Sequence, residues 1–255
     1  SYNTMLVWPV RSLGRTISEM SKAGVSVERI RYIINSQAEK DKQGAGKPDM
    51  NGDIEFSHVS FGYGKGQVLS DVSFQIPKGS TFGILGSTGS GKSTLMHLLN
   101  RLYELPEGNG AITIGGVDVA DIETQWLRSH IGMVLQEPFL FSRTISENIG
   151  IGKEDISIEE VRQSAETACV DEAIMNFSKG YDTLVGERGV TLSGGQKQRT
   201  AIARMLMGNT PIMVFDDSLS AVDSETDAKI RQALKRNLGD STIILISHRV
   251  TTLMQ

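Results

Sequence analysis

The sequence GSTGSGKST at residues 86–94 decides the fold of this chain. It has the spacing G-x-x-x-x-G-K-[ST], with Gly86, Gly91, Lys92 and Ser93 at the fixed positions. A short apolar stretch directly before it predicts a strand, and leucines at helical spacing follow it. A strand, a glycine-rich turn and a helix in this order indicate a phosphate-binding loop in an α/β fold.

The residue types of this loop explain its chemistry. Glycines let backbone N–H groups approach a phosphate without an intervening Cβ, and the following helix adds the positive end of its dipole. In such loops the lysine reaches the β- and γ-phosphates and the next hydroxyl ligates Mg²⁺, which assigns these roles to Lys92 and Ser93. The alternative, a chance glycine-rich turn, is disfavoured by the flanking strand and helix. The predicted phosphate contacts are Gly86, Ser87, Thr88, Gly89, Ser90, Gly91, Lys92, Ser93 and Thr94.

The composition narrows the class of protein. A chain of 255 residues accommodates one large α/β domain and an appendage. Its net charge of −4 disfavours a nucleic-acid-binding role, since no basic patch stands out in the sequence. The single cysteine, Cys169, excludes a disulfide within the chain and suits a reducing compartment. No run reaches the about 20 apolar residues that a membrane-spanning helix needs.

The sequence divides into three parts. Residues 1–36 predict a helix with a narrow apolar stripe, and its abrupt apolar beginning indicates a fragment of something longer. Residues 37–52 are rich in Lys, Asp, Gly and Gln and predict a linker. The globular domain is expected over 53–255, with a mostly helical subdomain at about 139–208.

Polar residues follow three apolar stretches that predict strands. Gln136 follows the first, Asp216 and Asp217 follow the second, and His248 comes just after the third. The carboxyl ends of strands in an open α/β sheet are where ligand contacts lie. One carboxylate at such an end commonly serves a phosphate-bound Mg²⁺, and a second can address the attacking water. Taken alone, His248 is better explained as a satisfied structural histidine.

Two further features have open interpretations. Tyr63, with a glycine on each side, is a candidate platform for a nucleobase, whose stacking is worth about 1–3 kcal/mol, but an ordinary tyrosine at a strand end would look the same. The sequence LSGGQ at residues 192–196 precedes a helical pattern. There Ser193 is a candidate N-cap, and Gly194 and Gly195 expose backbone donors to an anion. A plain helix start explains this pattern too.

In this order, the motifs resemble the nucleotide-binding domain of ATP-binding cassette (ABC) transporters over residues 53–255. The resemblance implies a P-loop NTPase fold: a mainly parallel sheet with an antiparallel β subdomain and a helical subdomain. It also implies ATP and Mg²⁺ as cofactors. The implied roles are adenine stacking for Tyr63, Mg²⁺ contact for Ser93, Gln136 and Asp216, catalysis for Lys92, Gln136, Asp217 and His248, and nucleotide contact for Ser193, Gly194, Gly195, Gln196 and Asp223.

Two stretches resemble exporters within this family. TLVGERG at residues 183–189 is similar to the X-loop that communicates with membrane helices, and residues 1–36 resemble the end of the last membrane helix and its extension. The resemblance implies a transmembrane domain in the same full-length chain and a location at the cytoplasmic face of the cell membrane. It also implies a second nucleotide-binding domain that closes head-to-tail on two ATP molecules. The chain stops soon after His248, where the family continues.

Asp217 departs from the family pattern, which has glutamate at this position to polarise the attacking water. The resemblance therefore extends to the degenerate half of heterodimeric exporters, whose own pocket mainly holds ATP. A homodimer with full turnover stays open, as does a regulatory module that hydrolyses nothing. A soluble DNA-clamping ABC ATPase is disfavoured, because the interval of about 100 residues between the phosphate loop and LSGGQ has no coiled-coil heptads.

Overall fold

A computed structural model of the chain describes residues 2–64, 66–153, 155–189, 191–218, 226, 228–230, 232–233 and 240–248. Asp223, one of the predicted nucleotide contacts, lies outside these residues. The chain divides into two compact units, residues 1–40 and residues 41–255.

The first unit consists mainly of one helix, α1 (Tyr2–Ile34). Serine and threonine hydroxyls along it donate to carbonyls four residues earlier, as Thr16 does to Ser12, so these polar side chains are compatible with the helix. Large apolar side chains such as Trp8 and Met20 are exposed. Among the described residues, no helix combines the length and the apolar character required to cross a bilayer.

The second unit alternates strands and helices. Its elements are β1 (Ile54–Tyr63), β2 (Gly66–Ile76), β3 (Thr81–Leu85), α2 (Lys92–Leu99), β4 (Ala111–Ile114), β5 (Val117–Asp118), α3 (Thr124–His130), β6 (Ile131–Val134), α4 (Ile145–Gly150), α5 (Ile158–Thr167), α6 (Asp171–Met175), α7 (Gly194–Met207), β7 (Ile212–Asp216) and β8 (Thr242–Ser247).

These strands form two sheets. One is antiparallel with the order β2-β1-β4-β5, and its β4–β5 hairpin turns at Gly115 and Gly116, which both have positive φ as a tight hairpin turn requires. The other is parallel throughout with the order β3-β8-β7-β6. The predicted combination of a parallel sheet and an antiparallel sheet is confirmed.

The parallel sheet separates two hydrophobic cores. Ile212 and Val214 of β7 pack into the core beneath the antiparallel sheet and α2, whereas Met213 and Phe215 pack into the core of the helical segment. This alternation follows from the two-residue period of a strand. Because β7 and β8 are buried on both faces, they are nearly continuous apolar runs, as the sequence predicted.

The helical segment between β6 and β7 depends on capped helix starts. Thr144 with Glu147, and Ser157 with Glu160, form capping boxes at the starts of α4 and α5. Hydrogen bonds from the Thr144 backbone N–H and hydroxyl lower the pKa of Glu147 below its ordinary value.

Residues 41–50 pack against the rest of the second unit. The Asp41 carboxylate accepts hydrogen bonds from the Thr124 backbone N–H at 2.9 Å, from the Thr124 hydroxyl and from the Arg101 guanidinium at 3.2 Å. The Trp126 indole N–H donates to the Pro48 carbonyl at 3.0 Å. The compact unit therefore begins at Asp41, inside the stretch 37–52 that the composition predicts to be a linker.

Candidate functional site

The candidate site lies where the strands of the parallel sheet end. Because β3, β8, β7 and β6 run parallel, their carboxyl ends share one edge of the sheet. The Gly86 N–H donates to the Ser247 carbonyl at 3.4 Å, and the Asp217 N–H donates to the Ile246 carbonyl at 2.9 Å. These bonds join the residues after β3 and β7 to the end of β8.

The loop between β3 and α2 requires glycine for two reasons, backbone conformation and packing. Gly89 and Gly91 have φ values of 82° and 88°, in the left-handed region that side chains rarely adopt. Gly91 is also buried, and a Cβ there would lie 2.7 Å from Cδ2 of Leu69. The turn therefore requires glycine at residue 91 for its conformation and for its packing.

Lys92 directs its ammonium group back over this loop. Its Nζ donates to the carbonyls of Gly86 at 2.8 Å and Ser87 at 2.7 Å, and it lies 3.4 Å from Oγ of Ser90. A fixed positive charge, the glycine backbone and the N-terminus of α2 thus converge on one place. The triphosphate of a nucleotide fits this arrangement, because its oxygens can accept hydrogen bonds from the same ammonium group.

The residues predicted to contact Mg²⁺ supply oxygen ligands. Ser93 is the second residue of α2, Asp216 is the last residue of β7 and is buried, and Gln136 follows β6 and is exposed. Hydroxyl, carboxylate and amide oxygens suit Mg²⁺, which retains waters and shares phosphate oxygens when it binds beside a nucleotide. The donor set therefore fits an ATP-bound Mg²⁺ ion.

One carboxylate oxygen connects three strand ends. Oδ2 of Asp217 lies 2.9 Å from Nδ1 of His248 and 3.5 Å from Nε2 of Gln136. Asp217 is only 9 % exposed and has a φ of 49°, a conformation that its backbone hydrogen bond to Ile246 holds. The structure thus brings together the predicted catalytic residues that follow β6, β7 and β8.

Tyr63 lies at the end of β1 and has two aromatic neighbours. Its ring meets Phe61 at 5.2 Å and 89°, and it meets Tyr103 at 4.9 Å and 78°. Its hydroxyl donates to Oγ1 of Thr94, in α2, at 3.2 Å. Tyr63 is 42 % exposed, as a stacking platform must be. Sequence reasoning missed Tyr103, because no motif links it to a residue 40 positions earlier.

Ser193 caps α7 as predicted. Its hydroxyl accepts the Gln196 N–H at 3.3 Å, and the Gln196 side chain accepts the Ser193 N–H at 2.9 Å. Ser193 and Gly194 are exposed at the start of the helix. The hydrogen bonds of residues 193–196 stay within the start of α7. The phosphate loop and Asp217, in contrast, are hydrogen-bonded to the end of β8.

Two polar side chains of α7 bind the segment that follows β6. Gln198 donates to the Gln136 carbonyl at 3.2 Å. Arg204 donates to the carbonyls of Asn148 at 2.7 Å and Phe139 at 2.8 Å, and to Oδ1 of Asn148 at 3.0 Å. Burial lowers the pKa of the Arg204 guanidinium. Sequence reasoning missed this connection, since an arginine in a helix usually faces solvent.

Comparison with known proteins agrees with this geometry. The ABC transporter family profile matches residues 69–220. YgaD of Bacillus subtilis (strain 168), whose name describes an ATP-binding/permease protein of multidrug export, is 42% identical over 249 residues, which is 96% of this chain and 43% of that protein. HlyB of Escherichia coli O157:H7, an alpha-hemolysin translocation ATP-binding protein, is 40% identical over 249 residues, which is 97% of this chain and 35% of HlyB.

A solved structure matches as well. The structure of a bacterial Atm1-family ABC exporter with ATP bound superposes with a TM-score of 0.84 at 37% identity, covering 99% of this chain and 45% of that one. The chain spans less than half the length of these relatives. The family match covers more than half of the chain and includes the phosphate loop and LSGGQ. The chain therefore belongs to the ABC transporter family and carries its ATPase domain.

Proposed function

We propose that this domain powers the export of a substrate across a membrane by closing on ATP together with a second nucleotide-binding domain. The names of its relatives support export, since they describe multidrug export and toxin translocation. The likeness to an ATP-bound exporter over 99% of the chain supports the same function. The phosphate loop with its inward-directed lysine is the observation that carries the proposal.

In this proposal the chain's own residues bind and orient ATP. Tyr63 stacks on the adenine, residues 86–94 surround the phosphates, and Lys92 neutralises charge that develops on them. Ser93, Gln136 and Asp216 would hold Mg²⁺, which would supply positive charge beside the phosphates. His248 holds the γ-phosphate, and Asp217 accepts a proton from the attacking water.

The exposed start of α7 supports a shared site. Ser193 and Gly194 are exposed at a helix N-terminus, where a phosphate binds well. This helix start faces solvent, so we infer that residues 193–196 contact the ATP held by a partner domain, and that Asp223 takes part in the same interface. Each of the two ATP molecules then lies between the phosphate loop of one domain and the LSGGQ sequence of the other.

The aspartate at residue 217 supports the proposal that this pocket hydrolyses ATP slowly and belongs to a heterodimer. The aspartate side chain is shorter than glutamate by one methylene, which draws the carboxylate back by about an ångström, and general-base catalysis depends on hydrogen-bond reach. The buried Oδ2 atom also lies within contact distance of His248 and Gln136. We therefore propose that this pocket mainly holds ATP, while the intact LSGGQ completes a faster pocket of the partner.

The remaining parts of the chain fit attachment to a membrane domain. Residues 1–36 are proposed as the end of the last membrane helix and its extension, and residues 37–52 as the connection to the domain at 53–255. Within the helical subdomain, about 139–208, Phe139, Phe141 and Leu184 are exposed. We propose that this apolar surface and the loop 183–189 contact the transmembrane domain at the cytoplasmic face of the membrane.

Two measurements test the proposal. The purified chain must bind Mg-ATP, and a failure to bind would overturn the assignment of the phosphate site. ATP turnover is then measured for the chain alone and after mixing with a partner nucleotide-binding domain that has glutamate at the position of Asp217. Turnover that rises only in the mixture supports the heterodimer. Fast turnover by the chain alone would instead support a homodimer with two active pockets.

A further inference from the structure

Tyr103 lies beside the aromatic residue of the proposed nucleobase site. Its ring centroid is 4.9 Å from that of Tyr63 at an interplanar angle of 78°, which is the edge-to-face geometry that aromatic pairs favour. It also lies 6.0 Å from the Phe61 ring and 6.1 Å from the His97 ring. The four rings form a cluster in which Tyr103 contacts each of the others.

The solvent exposure of Tyr63 and Tyr103 distinguishes this aromatic pair from an ordinary core contact. Tyr63 is 42 % exposed and Tyr103 is 45 % exposed. An aromatic side chain that serves stability alone gains most when it is fully buried. Here each ring keeps a large part of its surface in solvent while the edge-to-face contact restrains its orientation.

Helix α2 connects this cluster to the phosphate loop. It begins at Lys92, and Thr94 in its first turn accepts the hydrogen bond from the Tyr63 hydroxyl at 3.2 Å. The helix ends at Leu99, and Tyr103 follows four residues later. Among the described residues, two contacts from outside β1 orient Tyr63, one from the start of α2 and one from the turn after its end.

We propose that Tyr103 is a positioning residue for the nucleobase: it fixes the ring plane of Tyr63, and through that ring the plane on which the base stacks. This inference rests on the proposed function, in which Tyr63 stacks on adenine. Tyr103 acts through Tyr63 and does not contact the phosphates. It should affect the binding of a nucleotide and leave the binding of a bare phosphate chain unchanged.

Calorimetric titrations of the chain with Mg-ATP and with inorganic tripolyphosphate test this inference. We expect Tyr103→Leu and Tyr103→Ala to weaken ATP binding about three- to tenfold, because the edge-to-face contact is lost. Both variants should bind tripolyphosphate with the wild-type affinity. Tyr103→Phe keeps the ring and should bind both ligands within about twofold of the wild type. Thermal unfolding of every variant confirms that it is folded.

A double-mutant cycle separates positioning from direct contact. If Tyr103 acts through Tyr63, the double variant Tyr63→Ala, Tyr103→Ala should bind ATP no more weakly than Tyr63→Ala alone. Additive losses would overturn the inference, as would equal losses for ATP and tripolyphosphate or an unchanged ATP affinity in Tyr103→Leu. A wild-type chain that binds no ATP would overturn the proposed function itself, whereas wild-type binding with unaffected Tyr103 variants would overturn this inference alone.

Discussion

Nδ1 of His248 lies 2.9 Å from Oδ2 of Asp217, although the two residues follow different strands of the parallel sheet. Gln136, after a third strand, lies 3.5 Å from the same oxygen. Two polar side chains from two other strand ends thus converge on one buried carboxylate at the edge of the sheet. In the proposed function, the position and length of the Asp217 side chain determine how well the pocket activates water.

Lengthening the side chain at residue 217 should accelerate hydrolysis. We expect Asp217→Glu to raise the rate of ATP cleavage at this pocket at least tenfold, because general-base contributions of about 10²–10⁴ depend on reach. Asp217→Asn, which keeps the size and removes the base, should lower the rate. Single-turnover cleavage of bound ATP measures this change, with ATP affinity determined in parallel. An unchanged rate in Asp217→Glu would show that residue 217 is not at the position of the base.

Substitution by alanine should lower the unfolding free energy by different amounts at the two glycines of the phosphate loop that have positive φ. Gly89→Ala should cost about 1–2 kcal/mol of unfolding free energy through its positive φ alone, because no atom lies within 4 Å of the added Cβ. Gly91→Ala adds a contact of 2.7 Å with Leu69, for a total of about 2–4 kcal/mol. Denaturant unfolding compares the two variants. Equal losses would contradict the packing role of Gly91.

The stability of the folded chain should depend on the several N–H donors of the Arg204 guanidinium and not only on its positive charge. Arg204→Met leaves the Phe139 carbonyl and two oxygens of Asn148 without this donor, so we expect a loss of about 2–4 kcal/mol in unfolding free energy. Arg204→Lys keeps the charge but cannot reach all three acceptors, and it should recover less than half of the loss. If Arg204→Lys were as stable as the wild type, the need for several guanidinium donors would be contradicted.

The contribution of Asp41 should depend on pH. The Thr124 hydroxyl, followed by its backbone N–H, lowers the pKa of Asp41 in the folded chain below the ordinary value. A lowered folded pKa means that the stabilisation is complete above the unfolded pKa of about 3.9 and is lost as the pH falls through the folded value. Asp41→Asn should therefore lower the melting temperature by the same few degrees at pH 7 and pH 6.

Acidification should then bring the melting temperatures of Asp41→Asn and the wild type together below about pH 4. Thr124→Ser retains both donors and serves as the matched control, with a pH profile like that of the wild type. Thr124→Val removes the hydroxyl and should show part of the loss. A difference between Asp41→Asn and the wild type that stays constant down to pH 3 would contradict the role of the ionised carboxylate.

Local sequence patterns predicted the elements whose causes are local. The predicted N-cap at Ser193 depends on a hydrogen bond over three residues, and the phosphate loop depends on glycines at short spacing. The buried strand before Asp216 is recognisable because a strand covered on both faces is apolar throughout. Sequence spacing did not predict the contacts of Asp41, Tyr103 and Arg204, whose partners lie far away along the chain.

The sequence by itself determined the fold class, the phosphate loop and the polar residues that follow the strands, because each depends on residue types at short spacing. Only the tertiary structure decided which of these residues meet. The strand order β3-β8-β7-β6 brings Gln136 and His248 to one oxygen of Asp217, and the turn after α2 places Tyr103 against Tyr63. Such contacts depend on strand order and helix packing, which are set by the burial of two cores and not by any single motif.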